Sequence, residues 1–274
     1  MRAIGALALS FALFVAWLFA VWPPPIWFRN HWPRETAFMR MRGRVTAYEP
    51  VAFNAMAPAV AQAAIAGEDQ SFAAHGGIDW TQMRRALGYR RAGFAWGSAE
   101  DVGAVGGALA GAWGRRDALR GASTITQQLA KNLYLSPSRD PLRKLKEAVT
   151  AYRLESALDK GRILALYLNV AELGDGIWGV EAASRLYYHL PAARLSAGQA
   201  AALAGALPFP LSSNPGYRPR RMQARQALIL RRMRGERIEI PIPEAEPDTT
   251  AAESAAAPDD SAAPDEPPPA PAAP

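Results

Sequence analysis

From Ala3 to Trp22 the chain runs without a single charge, through Ala, Leu, Phe, Val and Trp. A helix of about 20 apolar residues is what crosses the hydrocarbon core of a bilayer. A cleaved signal peptide would have a shorter apolar stretch and a small-residue cleavage site. Here Trp17, Trp22 and the stop Pro23-Pro24-Pro25 predict a retained anchor over residues 1–24, with Trp22, Trp27 and Trp32 at the water interface. Residues 25–44 read as a basic, aromatic linker beside the membrane. Only Arg2 precedes the run, whereas Arg29, Arg34, Arg40, Arg42 and Arg44 follow it. That bias alone favours a body on the cytoplasmic side, although long domains translocate regardless of local charge.

The charge of the chain is also divided. Its 274 residues carry 31 Lys+Arg and 25 Asp+Glu, a net of +6. Eight acidic residues and no Lys or Arg lie between Glu244 and Pro274, which leaves residues 1–243 at +14. Only Lys131, Lys144, Lys146 and Lys160 are lysines. The absence of cysteine excludes a disulfide scaffold, a thiol nucleophile and thiolate metal sites. The histidines, His31, His75 and His189, show no metal-ligand spacing. No metal site is expected from the residues. Basic charge alone also fits nucleic acid, but no aromatic platform accompanies it, and no nucleic-acid partner is expected.

Residues 45–240 repeat apolar positions at three and four, with little strand-like alternation, so the body is predicted to be mainly α. Residues 92–116 are rich in Gly and Ala without a firm period. They read as a flexible insertion or lid, able to touch lipid through Phe94, Trp96 and Trp113, or as a plain loop. Residues 241–274 are dominated by Pro, Ala, Asp and Glu and cannot bury enough apolar surface to fold.

Four segments carry candidate chemistry. Ala66 to Asp79 (AGEDQSFAAHGGID) follows a short Ala-rich helix opened near Pro58, and sets Glu68 and Asp69 side by side where the chain leaves that helix. Such a pair suits acid/base work or simple solvation. In Arg120 to Asn132 (RGASTITQQLAKN), Thr124 and Gln127 have capping-box spacing. Ile125, Leu129 and Leu133 share one face of the ensuing helix. Thr124, Gln127, Gln128 and Lys131 line another, fit for a sugar or phosphate, or merely solvated. From Arg139 to Lys160, Asp140 can cap, Pro141 fits the first turn and Gly161 marks the end. One apolar stripe is Leu142, Leu145, Val149 and Tyr152, and a second is Ala151, Leu154 and Leu158. Two stripes predict a buried central helix. Glu147 falls in the second stripe, where a lone carboxylate is costly, so it is functional or paired with Arg143 four residues earlier. The fourth segment, Arg162 to Gly176, is apolar nearly all round except Asn169 and Glu172. A second capping box, Ser196 with Gln199, and a basic helix at 219–234 follow.

In this order the segments resemble the motifs of the peptidoglycan glycosyltransferases, which polymerise lipid II: E-D-x-x-F-x-x-H-x-G-x-D, R-G-x-S-T-I-T-Q-Q-x-x-K-N, R-K-x-x-E and R-I-L-x-x-Y-L-N-x-x-E-x-G-x-G, across about residues 45–235. The form is similar to the monofunctional transglycosylases, since no S-x-x-K or K-T-G occurs. The resemblance implies a lysozyme-like, two-lobed domain over 45–240 that joins a lipid-linked glycan to lipid II through a β-1,4 bond. It implies Glu68 as the catalytic base and Glu147 as the second essential carboxylate. Lys131 and Arg139, with Arg143 nearby, correspond to cations around the leaving pyrophosphate. Asp69, Phe72, His75, Ser123, Thr124, Gln127, Gln128 and Asn132 match further cleft positions, several of them expected to be scaffold. No cofactor is required by the resemblance, though a divalent cation (Mg or Mn) stimulates some relatives. The implied partners are lipid II, the lipid-linked strand, the cytoplasmic membrane and other cell-wall synthesis or division proteins. The implied location is the bacterial inner membrane, with the body on the periplasmic side.

Two alternatives share some of these features. A glycan-cleaving, lysozyme-like enzyme needs no pyrophosphate cations, and an inactive assembly scaffold needs neither Glu68 nor Glu147. Residues 92–116 and Gly67 with Ala73-Ala74 depart from the family pattern.

Overall fold

The computed structural model describes residues 2–86, 98–112, 123–135 and 141–241. Arg139, Asp140, Arg120, Phe94, Trp96, Trp113 and the acidic tail beyond residue 241 lie outside the described residues. Among the described residues the protein is mainly helical, with eleven α-helices and one small sheet.

The body divides its helices into two groups. Helix α3 (Pro58–Glu68) opens on a proline, whose fixed φ and missing N–H suit a first turn. It packs with α10 (Ala197–Ala206) and α11 (Arg220–Met233). The second group is α6 (Ile125–Tyr134), α7 (Pro141–Ala157) and α8 (Lys160–Val170). Both predicted capping boxes form: Thr124 Oγ1 accepts from the Gln127 backbone N–H, and Ser196 Oγ from that of Gln199. One apolar core joins the groups, with Ile125, Leu129, Leu154, Leu166 and Tyr167 almost solvent-free. Gly67 permits close contact there, because a Cβ would come within 3.0 Å of Ile229 Cδ1 on α11.

Three strands brace one end in the order β1 (Ala47–Tyr48), β3 (Ile177–Trp178), β2 (Glu172–Gly174). β1 runs parallel to β3, with Ala47 beside Ile177, and β2 pairs antiparallel to β3. The Asn169 amide closes this end by exchanging hydrogen bonds with both backbone groups of Val51, at 2.8 and 2.9 Å. Helix α9 (Val180–Tyr188) follows the sheet.

Several expectations change. Helix α7 stops at Ala157 rather than near Gly161, because Asp159 caps a new helix by accepting from the Arg162 N–H at 2.8 Å. Nor is α7 buried on two sides. Ala151 and Leu154 are fully buried, whereas Leu142, Leu145 and Tyr152 are exposed. Within the Gly/Ala-rich stretch, Ala99–Ala112 forms helix α5, with Ser98 Oγ accepting from the Asp101 backbone N–H at 3.2 Å at its start. Residues 25–44 are folded against the body. Phe28 and Met39 are nearly solvent-free, and the Arg162 guanidinium donates to the Phe28 and His31 carbonyls while lying 3.8 Å over the Trp32 ring.

The N-terminal helix α1 (Arg2–Phe19) is shorter than the uncharged run. At 18 residues it reaches about 27 Å, against a hydrocarbon core of about 30 Å. Among the described residues no helix is long and apolar enough to cross a membrane. The last turn of α1 meets α7, with Lys146 Nζ 4.6 Å over the Trp17 ring and Arg153 5.6 Å over that of Phe19.

The two faces of α7 give a direct check. Leu154→Ala opens a cavity in the core and is expected to cost about 2–5 kcal/mol. Tyr152→Ala is expected to stay within about 0.5 kcal/mol. Unfolding midpoints of the detergent-solubilised variants measure both.

Candidate active site

Glu68 closes α3 at the seam between the two helix groups. Its carboxylate accepts 2.9 Å hydrogen bonds from Gln128 Nε2 on α6 and from the Arg225 guanidinium on α11. Arg225 also donates to the Gly67 carbonyl at 2.8 Å, so one guanidinium grips the last turn of α3 twice. Gln128 is held in turn by the Tyr167 hydroxyl, which donates to its Oε1 at 3.0 Å. Burial raises the Tyr167 phenol well above its ordinary pKa, with the neighbouring Glu68 charge adding to this, so the hydroxyl stays protonated. A carboxylate with ionised and neutral donors on both oxygens has a fixed direction, which suits a group that must meet a substrate proton.

Asp69, one residue on, faces another way. It accepts from the backbone N–H of Ile125 at 3.0 Å, at the positive end of α6, and pairs with His75 Nε2 at 3.0 Å. Thr124 Oγ1 donates to the Gly77 carbonyl at 2.6 Å and locks the same loop to the same helix end. Phe72 is buried, with Lys160 Nζ 4.4 Å over its ring. Lys160 also pairs with Glu155, which accepts from Thr126. Asp79 receives Ser71 Oγ and the Gln82 N–H. Burial acts to raise its pKa, but the Ser71 and backbone hydrogen bonds, with the charge of His75, outweigh it and hold the carboxyl below 3.8.

Glu147 forms the second centre. It is only 2 % exposed, and its two oxygens take Arg143 at 2.8 Å and Lys144. Lys144 also reaches Ser123 Oγ at 2.9 Å, tying α7 to the start of α6. Lys131, half-buried on α6, feels the charge of both Glu147 and Glu68. Burial pushes its ammonium below the ordinary lysine pKa and Lys144 and Arg143 push the same way, while Glu147 and Glu68 oppose them. Together Lys131, Arg143, Lys144 and Glu147 sum to +2, an arrangement that can stabilise an anion beside a base. Among the described residues no three His, Asp or Glu side chains come together to hold a metal.

The predicted polar face of α6 is thus only partly exposed. Gln128 and Lys131 are half-buried, whereas Thr124, Gln127 and Asn132 are buried, the first two in the capping box. Asp69, Phe72 and His75 brace the loop. The sequence reading missed Arg225, Tyr167 and Lys144. For Arg225 a signal existed: Met222 and Ile229, three before and four after it, mark the buried face of α11. For Lys144 it was the three-residue spacing to Glu147.

Two variants test these contacts. Arg225→Met leaves the mostly buried Glu68 carboxylate without its cation and is expected to cost about 3–5 kcal/mol, read from thermal unfolding. For Asp79 the folded pKa lies below the unfolded one. Its stabilisation is therefore full above pH 3.8 and lost as pH falls through the lower folded value. Stability against pH for Asp79→Asn is expected to lack that acid-side loss.

A family model described as Transglycosylase matches residues 35–93 and 89–234. The chain is similar to the biosynthetic peptidoglycan transglycosylase of Bordetella avium (strain 197N), at 38% identity over 249 residues, covering 88% of this chain and 95% of that protein. It is 40% identical over 242 residues to that of Bordetella pertussis (strain Tohama I), covering 84% and 89%. It is 36% identical over 241 residues to that of Laribacter hongkongensis (strain HLHK9), covering 85% and 95%. Since these matches run through α3 and α7, the two helices that carry the paired carboxylate centres, the chain belongs to the transglycosylase family.

Proposed function

We propose that the protein is a peptidoglycan glycosyltransferase that polymerises lipid II into β-1,4-linked glycan strands and releases undecaprenyl pyrophosphate. The observation that carries this is the pairing of one directed carboxylate, Glu68, with a cationic cluster around Glu147 across the same seam. We read the helical body as two-lobed and lysozyme-like, with its cleft along that seam.

Glu68 takes the proton from the 4-hydroxyl of the acceptor lipid II, which turns a poor nucleophile into a better one. The hydroxyl oxygen forms the new bond to C1 of the donor as the bond from C1 to the pyrophosphate oxygen breaks. One displacement inverts the α-linked donor to a β product. Negative charge grows on the phosphate oxygens, where Lys131 and Arg143, with Arg139, stabilise it more strongly than water would. Glu147 has both oxygens engaged by Arg143 and Lys144, so its role is to hold the cations rather than to take a proton. A divalent cation is at most a stimulant here, and no step is assigned to one. Glycan cleavage is disfavoured: it calls for no such cationic cluster, and the relatives are named as biosynthetic enzymes.

The membrane is the place where a polyprenyl substrate sits. Helix α1, most of whose described side chains are exposed, meets Lys146 and Arg153 of α7 through Trp17 and Phe19, and α7 itself exposes Leu142, Leu145 and Tyr152. We read α1 as an anchor in the inner membrane, reaching across it with Ala20–Trp22, with the body on the periplasmic side where other cell-wall synthesis or division proteins work.

Glu68→Gln keeps the shape and loses the base. Consumption of labelled lipid II in detergent is expected to fall to background, and full activity would remove Glu68 from that role. Lys131→Ala is expected to impair donor use chiefly, and unchanged polymerisation would remove Lys131 from the pyrophosphate site.

A further inference from the structure

We infer that Phe38, on the short helix α2 (Ala37–Arg42) between the apolar N-terminal helix and the body, is a positioning residue for Lys131, its ring supporting the ammonium that meets the donor's pyrophosphate. The inference rests on the reading of Lys131 given above.

The Lys131 ammonium lies 5.5 Å from the centroid of the Phe38 ring, within the range of a cation–π contact. Among the described residues Lys131 has no ion pair, whereas Arg143 and Lys144 are both engaged by Glu147. The difference is chemical. A carboxylate on Lys131 would neutralise its charge and occupy its donors. An aromatic ring stabilises the charge through its quadrupole and leaves N–H groups for phosphate oxygens. Burial works against the charged form of Lys131, so a neutral partner that favours that form has something to offset.

The ring is itself fixed. Trp178, fully buried, meets it edge to face at 5.7 Å and 87°. Arg42 lies 5.1 Å from the same ring, and its guanidinium is paired with the buried Glu172 at 3.1 Å. Thr36 caps α2 by accepting from the Met39 N–H at 3.1 Å, and the Trp178 indole donates to the Arg44 carbonyl at 3.1 Å. The segment leading from α1 is thus stitched to the sheet, and through Phe38 it reaches the cleft. The charged groups bearing on Lys131 are Glu147, Arg143 and Lys144 from α7 and Glu68 from α3, with Arg42 of α2 sharing the ring.

The test uses the full-length protein with Phe38→Leu, which keeps an apolar side chain without a π face, and Phe38→Trp, which keeps the face. With a short lipid-linked oligosaccharide as donor, Phe38→Leu is expected to raise donor KM about three- to tenfold with kcat little changed, and Phe38→Trp to stay near wild type. The chain has four lysines, so 13Cε-lysine labelling resolves Lys131 once Lys131→Arg assigns it. In Phe38→Leu the Lys131 titration is expected to move to lower pH while the other three stay in place. Wild-type kinetics and titration in Phe38→Leu would overturn the inference. So would a loss that Phe38→Trp does not restore, since that marks plain packing. Normal donor use by Lys131→Ala would overturn it through its premise, and the titration would then still report whether ring and ammonium touch.

Discussion

A carboxylate set at the junction of three helices can remain there only if something holds it. The Glu68 side chain ends α3 and is gripped by Gln128 of α6 and Arg225 of α11. Each contact crosses from one helix to another, and the Arg225 bond to the Gly67 carbonyl also satisfies a helix end. The cost of burying charge without a partner is what forces this arrangement. The same constraint recurs at Glu147, Glu172 and Asp69, and each is met by a cation or a backbone N–H. Glu68, Asp69 and Glu172 thus tie their own elements to those that carry their partners.

The division of labour between neighbouring acids follows from direction. Glu68 and Asp69 are adjacent, yet the chain leaves the helix between them, so one points to α6 and α11 side chains and the other to the α6 N-terminus. Asp69 serves the loop, and Glu68 is the acid we propose as the base. Across the seam, Glu147 gathers Arg143 and Lys144, while Lys131, with no ion pair among the described residues, lies over an aromatic ring. In the proposed reaction these supply a proton acceptor and an anion site, the two features that an inverting transfer from a pyrophosphate donor requires.

Much of this was legible in the residues. Capping boxes at Thr124 and Ser196 and the Arg143–Glu147 pair are local, set by spacings of three and four, and they form as read. What was not legible depended on distance along the chain. Arg225 and Glu68 are separated by 157 positions, and no local pattern announces their contact. The outer stripe of α7 shows a different limit. Leu142, Leu145 and Tyr152 have the spacing of a buried face, but apolar periodicity does not say whether the face meets protein or lipid. Likewise Thr124 and Gln127 are polar in type yet buried, because each side-chain oxygen accepts from the other's backbone N–H. Residues 25–44 were read by composition as a linker, and composition did not reveal that Phe28, Phe38 and Met39 pack into the body.

This seam builds glycan rather than cutting it or merely holding a place for other proteins. The most direct measurement is a gel of glycan lengths from purified protein supplied only with labelled lipid II in detergent. A polymerase yields a ladder of long strands that grows as lipid II disappears. Untouched lipid II, or shortening of pre-formed strands without new polymer, would contradict it.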